Sequence, residues 1–360
     1  MKGMQVLYQC CCGLDIGKKE VVGCLMTPGA SRESVTKEIR TFGTSTRALL
    51  ELRDWLTSVG CEHVAMESTG PYWKPLWNVL EGHVGLTLVN PAHMKAVPGR
   101  KTDVKDAEWI ADLLRHGLLT ASYVPDREQR ELRELVRYRR SLIEERTREV
   151  NRVQKVLEGA NIKLGSVASD VLGVSGRDML THLANGADDP EQLADLARGR
   201  LKDKHEQLVE ALTGYVQSHQ RYMLRQELDH IAYLDRRIAE LDAEIERRMS
   251  DVKQVLERLD TLTGVGQRTA QEIVAEVGAD VSHFPSHDHL ASWSGLTPGQ
   301  NESAGKRKPA RTRPGNKHLR ATMIEAARAA ARSKGTYLGA QHERLRRHMK
   351  GNKSLVALAH

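Results

Sequence analysis

The sequence predicts an α/β domain, then a long-helical region, then a mostly helical and strongly basic C-terminal segment. Three observations carry this. Short β-branched or apolar runs alternate with amphipathic stretches as far as Leu114. Apolar residues then recur at a strict interval of seven from Leu224 to Leu259. Finally, residues 301–360 hold 15 Lys or Arg against 3 Asp or Glu, whereas the preceding 300 hold 39 against 44. A localised positive charge on a mildly acidic body predicts a polyanion site, nucleic acid above all, although a solvated basic tail gives the same composition.

The elements follow in order. Residues 5–12 and 20–26 read as short strands, with Gly13–Lys19 between them placing Asp15 at the close of the first. Residues 35–42 read as a third strand. Ser45–Val59 reads as a helix with Leu49, Leu52, Trp55 and Leu56 on one face. A strand then runs from His63 to Glu67 and is broken by Gly70-Pro71. Another helix spans Trp73–Leu80, strand Leu86–Asn90 follows, and a basic loop runs from Lys95 to Lys101. In 101–114, Val104, Ala107, Ile110, Ala111 and Leu114 mark one buried helical face, capped by Thr102 or Asp103.

Three strands, helix, strand, helix, strand, helix is the element order of an RNase H-like α/β domain. In that arrangement the first strand, the fourth strand and the late helix converge, bringing Asp15, Glu67, Asp103 and Asp106 to one place. Adjacent carboxylates repel unless a cation or proton lies between them, and four of them form a hard oxygen site suited to Mg²⁺ or Mn²⁺. Two such ions about 4 Å apart stabilise the attacking and leaving oxygens in phosphodiester cleavage. The Asp103–Asp106 pair also reads as an acidic first turn complementing the helix dipole.

From Asp126 to about Gly159 the pattern is long-helical and charged, with Leu135, Leu142, Glu149 and Val156 at a seven-residue step. Residues 165–200 read as short helices and loops. Leu224, Ile231, Ile238, Ile245, Val252 and Leu259 then predict a coiled coil, paired within one chain or between protomers, with Leu234, Leu241 and Val255 in its second seam. Gly264-Val265-Gly266 before a second helix matches a helix-hairpin-helix, in which the glycines let backbone approach a phosphate and the next helix offers free N–H groups. A plain helical turn fits the same residues.

From Ser303 to Ile324 come Lys306, Arg307, Lys308, Arg311, Arg313, Lys317 and Arg320 without one acid, and Pro309, Pro314 and Gly315 break regular structure there. A glycine-bordered serine facing such cations has the surroundings of a nucleophile, although such serines more often only turn the chain. Five cysteines without a Cys-x-x-Cys pair fit free thiols of a reducing compartment. With no signal peptide and no membrane-length apolar run, the expectation is a cytoplasmic, membrane-free protein.

Gly-Leu-Asp-Ile-Gly-Lys-Lys (13–19), Met-Glu-Ser-Thr-Gly (66–70), Lys-Thr-Asp-Val-Lys-Asp-Ala (101–107), Gly-Val-Gly (264–266) and Asn-Glu-Ser-Ala-Gly-Lys-Arg (301–307) occur in that order. Together they resemble the insertion-sequence-110 family of DEDD transposases over essentially the whole chain. The resemblance implies a RuvC-like nuclease domain over 1–125, a helical and coiled-coil region over 126–260, and a C-terminal transposase domain over 261–360. It implies that Asp15, Glu67, Asp103 and Asp106 hold Mg²⁺ while Ser303 attacks a DNA phosphate to form a phosphoserine, with acids and serine drawn from different protomers of a dimer or tetramer. Its implied partners are donor and target DNA and a structured non-coding guide RNA, and its place of action is the bacterial nucleoid. The basic segment and Gly264 and Gly266 would hold nucleic-acid backbone. Gly17 stands where relatives often have histidine, and the chain ends in an apolar helix start where relatives usually continue. A junction-resolving endonuclease without a covalent step, and an inactive nucleic-acid binder, are the rival readings.

Overall fold

A computed structural model of the chain describes residues 5–30, 34–68, 70–91, 106–300, 302–303, 305–307, 311–349 and 351–360. The chain divides into two compact units, Met1–Val124 and Pro125–His360. No helix among the described residues is long and apolar enough to cross a membrane.

The first unit is built on a five-stranded sheet in the order β3-β2-β1-β4-β5. Its strands are β1 (Cys11–Ile16), β2 (Glu20–Pro28), β3 (Val35–Gly43), β4 (His63–Glu67) and β5 (Gly85–Val89). The first three are antiparallel neighbours, while β4 lies parallel to both β1 and β5. Helix α1 (Thr46–Ser58) starts where the Ser45 hydroxyl accepts from Ala48 N–H, and its predicted face of Leu49, Leu52, Trp55 and Leu56 is buried. That face, with Leu76, Trp77 and Leu80 of α2 (Trp73–Leu80), packs on Cys10, Cys12, Leu14 and Ile16. Helix α3 (Asp106–Arg115) covers the opposite face, where Ala107, Ile110, Ala111 and Leu114 meet Cys11, Cys24, Met26 and Ala65. Successive strand residues point to opposite faces, so the Cys10–Cys12 run feeds both cores. All five cysteines are free and buried.

The first strand departs most from expectation. The first strand is Cys11–Ile16, not 5–12, and the turn is only Gly17-Lys18-Lys19. Gly13 is a strand residue because its missing side chain admits α3: a methyl group there would meet Ala107 O and Ala111 N at 2.3 Å.

The second unit is organised by α4 (Arg127–Gly159), capped by the Asp126 carboxylate, and α9 (Ser218–Arg248). Between them come α5 (Leu164–Val167), α6 (Val174–Ala184), α7 (Pro190–Ala194) and α8 (His205–Leu212), which close around the far end of the pair. Helices α4 and α9 pair antiparallel within the chain. Arg139 meets Asp242, Arg146 meets Asp235, and Glu149 meets His230. Leu142, Leu234 and Ile238 fill the seam. Each such buried side chain contributes about 1.5–3 kcal/mol, against under about 1 kcal/mol for an exposed pair between the two helices such as Arg248–Glu131. The apolar seam therefore holds the helices together.

Leu224, Ile231, Ile238 and Ile245 are buried as the heptads require, but Val252 and Leu259 lie beyond the end of α9 at Arg248. They belong to the next turn and to α10 (Lys253–Asp260), where with Val255 they pack near Val136, Ile245 and Met249. Helices α11 (Gln267–Val277), α12 (His287–Trp293), α13 (Lys317–Arg332), α14 (Tyr337–His348) and α15 (Asn352–Ala359) complete the unit. Apolar residues of α15 pack with Leu296 and Ala327.

Candidate functional site

In the first unit, Asp15 lies in β1 and Glu67 ends the neighbouring parallel strand β4, each one residue past the Leu14–Met66 pair. By strand alternation Asp15 shares a face with Cys11 and Gly13, and Glu67 shares one with Ala65. Both belong to the face that α3 covers. That helix runs antiparallel to β1. Its Arg115 O accepts from Leu7 N–H at 2.8 Å, the Cys11 thiol donates to Ala111 O, and Ala107 O abuts Gly13. Asp106, its first residue, therefore stands at the end nearest Asp15. Asp15 and Glu67 thus share one sheet face at the carboxyl end of parallel strands, with Asp106 at the near end of the helix that covers it.

Asp103 lies outside the described residues, as does Lys308. Among the described residues no three His, Cys, Asp or Glu side chains stand together as a metal-binding group. The donor chemistry of Asp15, Glu67 and Asp106, all carboxylate oxygen, suits a hard divalent cation.

In the second unit, residues 297–299 pair with 311–313 as the base of a two-stranded ribbon. Arg313 N–H donates to Thr297 O at 3.2 Å, Pro298 bridges to Thr312, and Gly299 N–H donates to Arg311 O at 2.8 Å. Farther out, β6 (Glu302–Ser303) pairs with β7 (Lys306–Arg307), matching Ser303 to Lys306 across the end. Gly305 turns the chain there with φ of 72°, which glycine adopts without strain. Ser303 thus sits at the ribbon tip. Lys306, Arg311 and Arg313 line the return strand exposed, and Lys317 is exposed just beyond on α13. Among the described residues Arg311, Arg313 and Lys317 make no ion pair, so their charge is available to a polyanion. Arg320 is half-buried farther along α13.

The base of the ribbon is fixed by residues that the sequence pattern does not flag. Asn316 N–H donates to Trp293 O at 2.8 Å, and Gly315 presses on Gly295 so closely that a methyl group would meet Gly295 N at 2.3 Å. The Asn316 carboxamide oxygen accepts from His318 and Leu319 N–H, capping α13, while its Nδ2 donates to Glu276 Oε2 at 2.7 Å. Glu276 is 2 % exposed and takes a bidentate pair from Arg137, at 2.7 and 2.8 Å. Arg133 donates to the Ala275 and Glu276 carbonyls and lies over the Trp293 ring. Burial alone would push the Glu276 carboxyl up, but Arg137, Asn316 and Arg133 hold it below the usual carboxylate range. Nearby, Arg140 binds Glu272, Thr322 and Glu325.

The two hairpin glycines serve different ends. Gly264, at φ 91°, is where the loop presses on α13: a methyl group there would meet Ala326 O at 2.3 Å. Its backbone is committed to packing. Gly266 has open space around it and precedes α11 without a side-chain cap, leaving that helix's first N–H groups to an outside acceptor.

Two family profiles match the chain and together cover about two-thirds of it. A DEDD profile described as "Transposase" spans residues 12–162, and "Transposase IS116/IS110/IS902 family" spans 256–343. Among similar proteins, a "Probable family 20 transposase" of Pseudomonas aeruginosa is 25% identical over 286 residues, 78% of this chain and 75% of its own length. The "Pilin gene-inverting protein" of Moraxella lacunata is 25% identical over 315 residues, 81% of this chain and 73% of its own. The "Transposase for insertion sequence element IS1328" of Yersinia enterocolitica is 26% identical over 272 residues, 74% and 70% of the two chains.

Proposed function

The chain belongs to the IS110 family of transposases, and from that membership we propose that it is an RNA-guided recombinase that moves its own insertion sequence. Asp15, Glu67, Asp103 and Asp106 would hold Mg²⁺ or Mn²⁺, and Ser303 would be the nucleophile. The observation that carries this reading is the common face of Asp15, Glu67 and the Asp106 end of α3. The strand order β3-β2-β1-β4-β5, with β1, β4 and β5 parallel, supports an RNase H-like, RuvC-like domain. The α10–α11 connection through Gly264 and Gly266 supports a helix-hairpin-helix.

When bound, the metal would neutralise charge on phosphate oxygens. Ser303 would attack phosphorus: its O–H proton leaves as the O–P bond forms, and the bridging DNA oxygen departs and takes up a proton. Attack on the phosphoserine by a hydroxyl of a second strand would restore the serine and join the strands. Lys306, Arg307, Lys308, Arg311 and Arg313 would stabilise the phosphate charge, while Lys317, Arg320 and the open Gly266 end of α11 would hold backbone. A homo-oligomer would supply acids and serine from different protomers.

The test pairs Ser303→Ala with Asp15→Asn on element-end DNA, with sequencing of co-purified RNA. Loss of both cleavage and the covalent protein–DNA adduct in Ser303→Ala, together with a discrete RNA mapping beside the gene, supports the proposal. Cleavage that survives in Ser303→Ala but fails in Asp15→Asn means a resolvase instead. Cleavage with only random host RNA removes the guidance.

A further inference from the structure

We propose that the buried Glu276–Asn316 contact aims the Ser303 ribbon, making both residues positioning residues for the serine. The inference rests on Ser303 as nucleophile, but the anchor has a readout of its own.

Asn316 is held from both ends of its side chain. Its oxygen satisfies two N–H groups at the start of α13 and its Nδ2 donates to Glu276, so it cannot rotate without uncapping the helix or stripping a hydrogen bond from a buried carboxylate. Glu276 is in turn oriented by the fork of Arg137. The other leg of the ribbon leaves through Gly295, which Gly315 abuts, and Trp293, over which Arg133 lies. Both legs therefore refer their direction to the same three residues, Arg133, Arg137 and Glu276. The Pro298–Thr312 and Glu302–Arg307 pairings lie outward of this base, so a tilt there displaces Ser303, and a near-attack geometry tolerates little displacement.

The test reverses the polarity of the contact. Asn316→Asp keeps the oxygen that caps α13 but replaces the donor with a second carboxylate against Glu276. Adding Glu276→Gln restores a donor–acceptor pair and returns the negative charge count beside Arg133 and Arg137 to its original value. Two measurements are made on the full chain: the rate of the Ser303–DNA adduct under single turnover, and a spin-label distance between Glu302→Cys and Glu257→Cys. The native cysteines are buried and will not take the label.

Asn316→Asp is expected to slow adduct formation by about ten- to a hundredfold and to broaden the distance distribution. The double variant is expected to recover the rate to within about threefold, a non-additivity that a general loss of stability does not produce. An Asn316→Asp variant with an unchanged rate and an unchanged distance overturns the inference, as does a double variant no better than the single one. If the parent protein forms no serine adduct while the distance still broadens and recovers, the anchor stands and the nucleophile assignment falls.

Discussion

Gly13 and Ala107 touch backbone to backbone. A methyl group on Gly13 would lie 2.3 Å from Ala107 O, so the approach of α3 to β1 depends on that position having no side chain. Because Ala107 follows Asp106, the same contact sets where this acid stands relative to Asp15. Gly13→Ala must push α3 outward. Overpacking against rigid backbone costs about 1–3 kcal/mol, and urea denaturation of the first unit's transition should show it. DNA cleavage should fall by more than the folded fraction does, since Asp106 moves as well.

Arg139 and Asp242 form a pair whose members should respond unequally to substitution. Arg139 is fully buried and donates Nη1 to Asp242 and Gln271, but among the described residues its Nε and Nη2 have no hydrogen-bond partner. Burial also works against its charge, with Asp242 only partly restoring it. Asp242 is partly exposed and keeps a second partner in Arg268, so losing the cation does not leave a buried charge unpaired. Arg139→Met should therefore cost about 1–3 kcal/mol, chiefly by leaving the buried Gln271 without its partner. Asp242→Leu leaves the guanidinium buried and should cost about 3–5 kcal/mol.

The Glu276 carboxyl gives stability a pH dependence of definite sign. Its folded pKa lies below the unfolded value of about 4.3. Its contribution is therefore complete above about pH 5 and is lost as pH falls through the unfolded and then the folded value. Glu276→Gln should cost about 1–3 kcal/mol at neutral pH, because Arg137 loses half of its fork yet is itself partly exposed, and should flatten the acid limb of a stability–pH curve measured by denaturant titration. An acid limb identical to the parent's would show that other carboxylates carry it.

DNA affinity should fall steeply with salt. Neutralising Arg311, Arg313 and Lys317 to Gln should reduce the slope of log K against log[salt] by about 0.9 per lost phosphate contact. The loss should be similar on unrelated sequences, because phosphate contacts carry little sequence information. An unchanged slope in fluorescence-anisotropy titrations would place the phosphate contacts elsewhere.

Much of the first unit could be read from the chain because its signals are local. Alternation gives strands, and the Leu49–Leu56 face gives α1. What escaped was set by neighbours far along the chain. Gly13 looks like a turn residue until α3, some ninety positions on, is laid over it. The heptad continues to Leu259 although the helix stops at Arg248, because residues of the next helix reuse the same spacing against the same cluster. Arg133, Arg137, Arg139 and Arg140 are only part of a charged helix in the sequence, since a cation's burial depends on acids and amides more than a hundred residues away. The capping role of Asn316 was available from its place before a helix. Its second bond, to Glu276, was not.

The antiparallel pairing of α4 with α9 also makes a gauge. With 33 residues, α4 spans about 50 Å, the length of roughly fifteen stacked base pairs at 3.4 Å each. One end carries the cap around α5–α8 and the other carries the hairpin and ribbon, so whatever the two ends grip is held at a set interval. Adding one heptad to both helices would keep the seam in phase and lengthen that interval by about 10 Å. Adding a single residue would turn the seam to solvent before it lengthened anything.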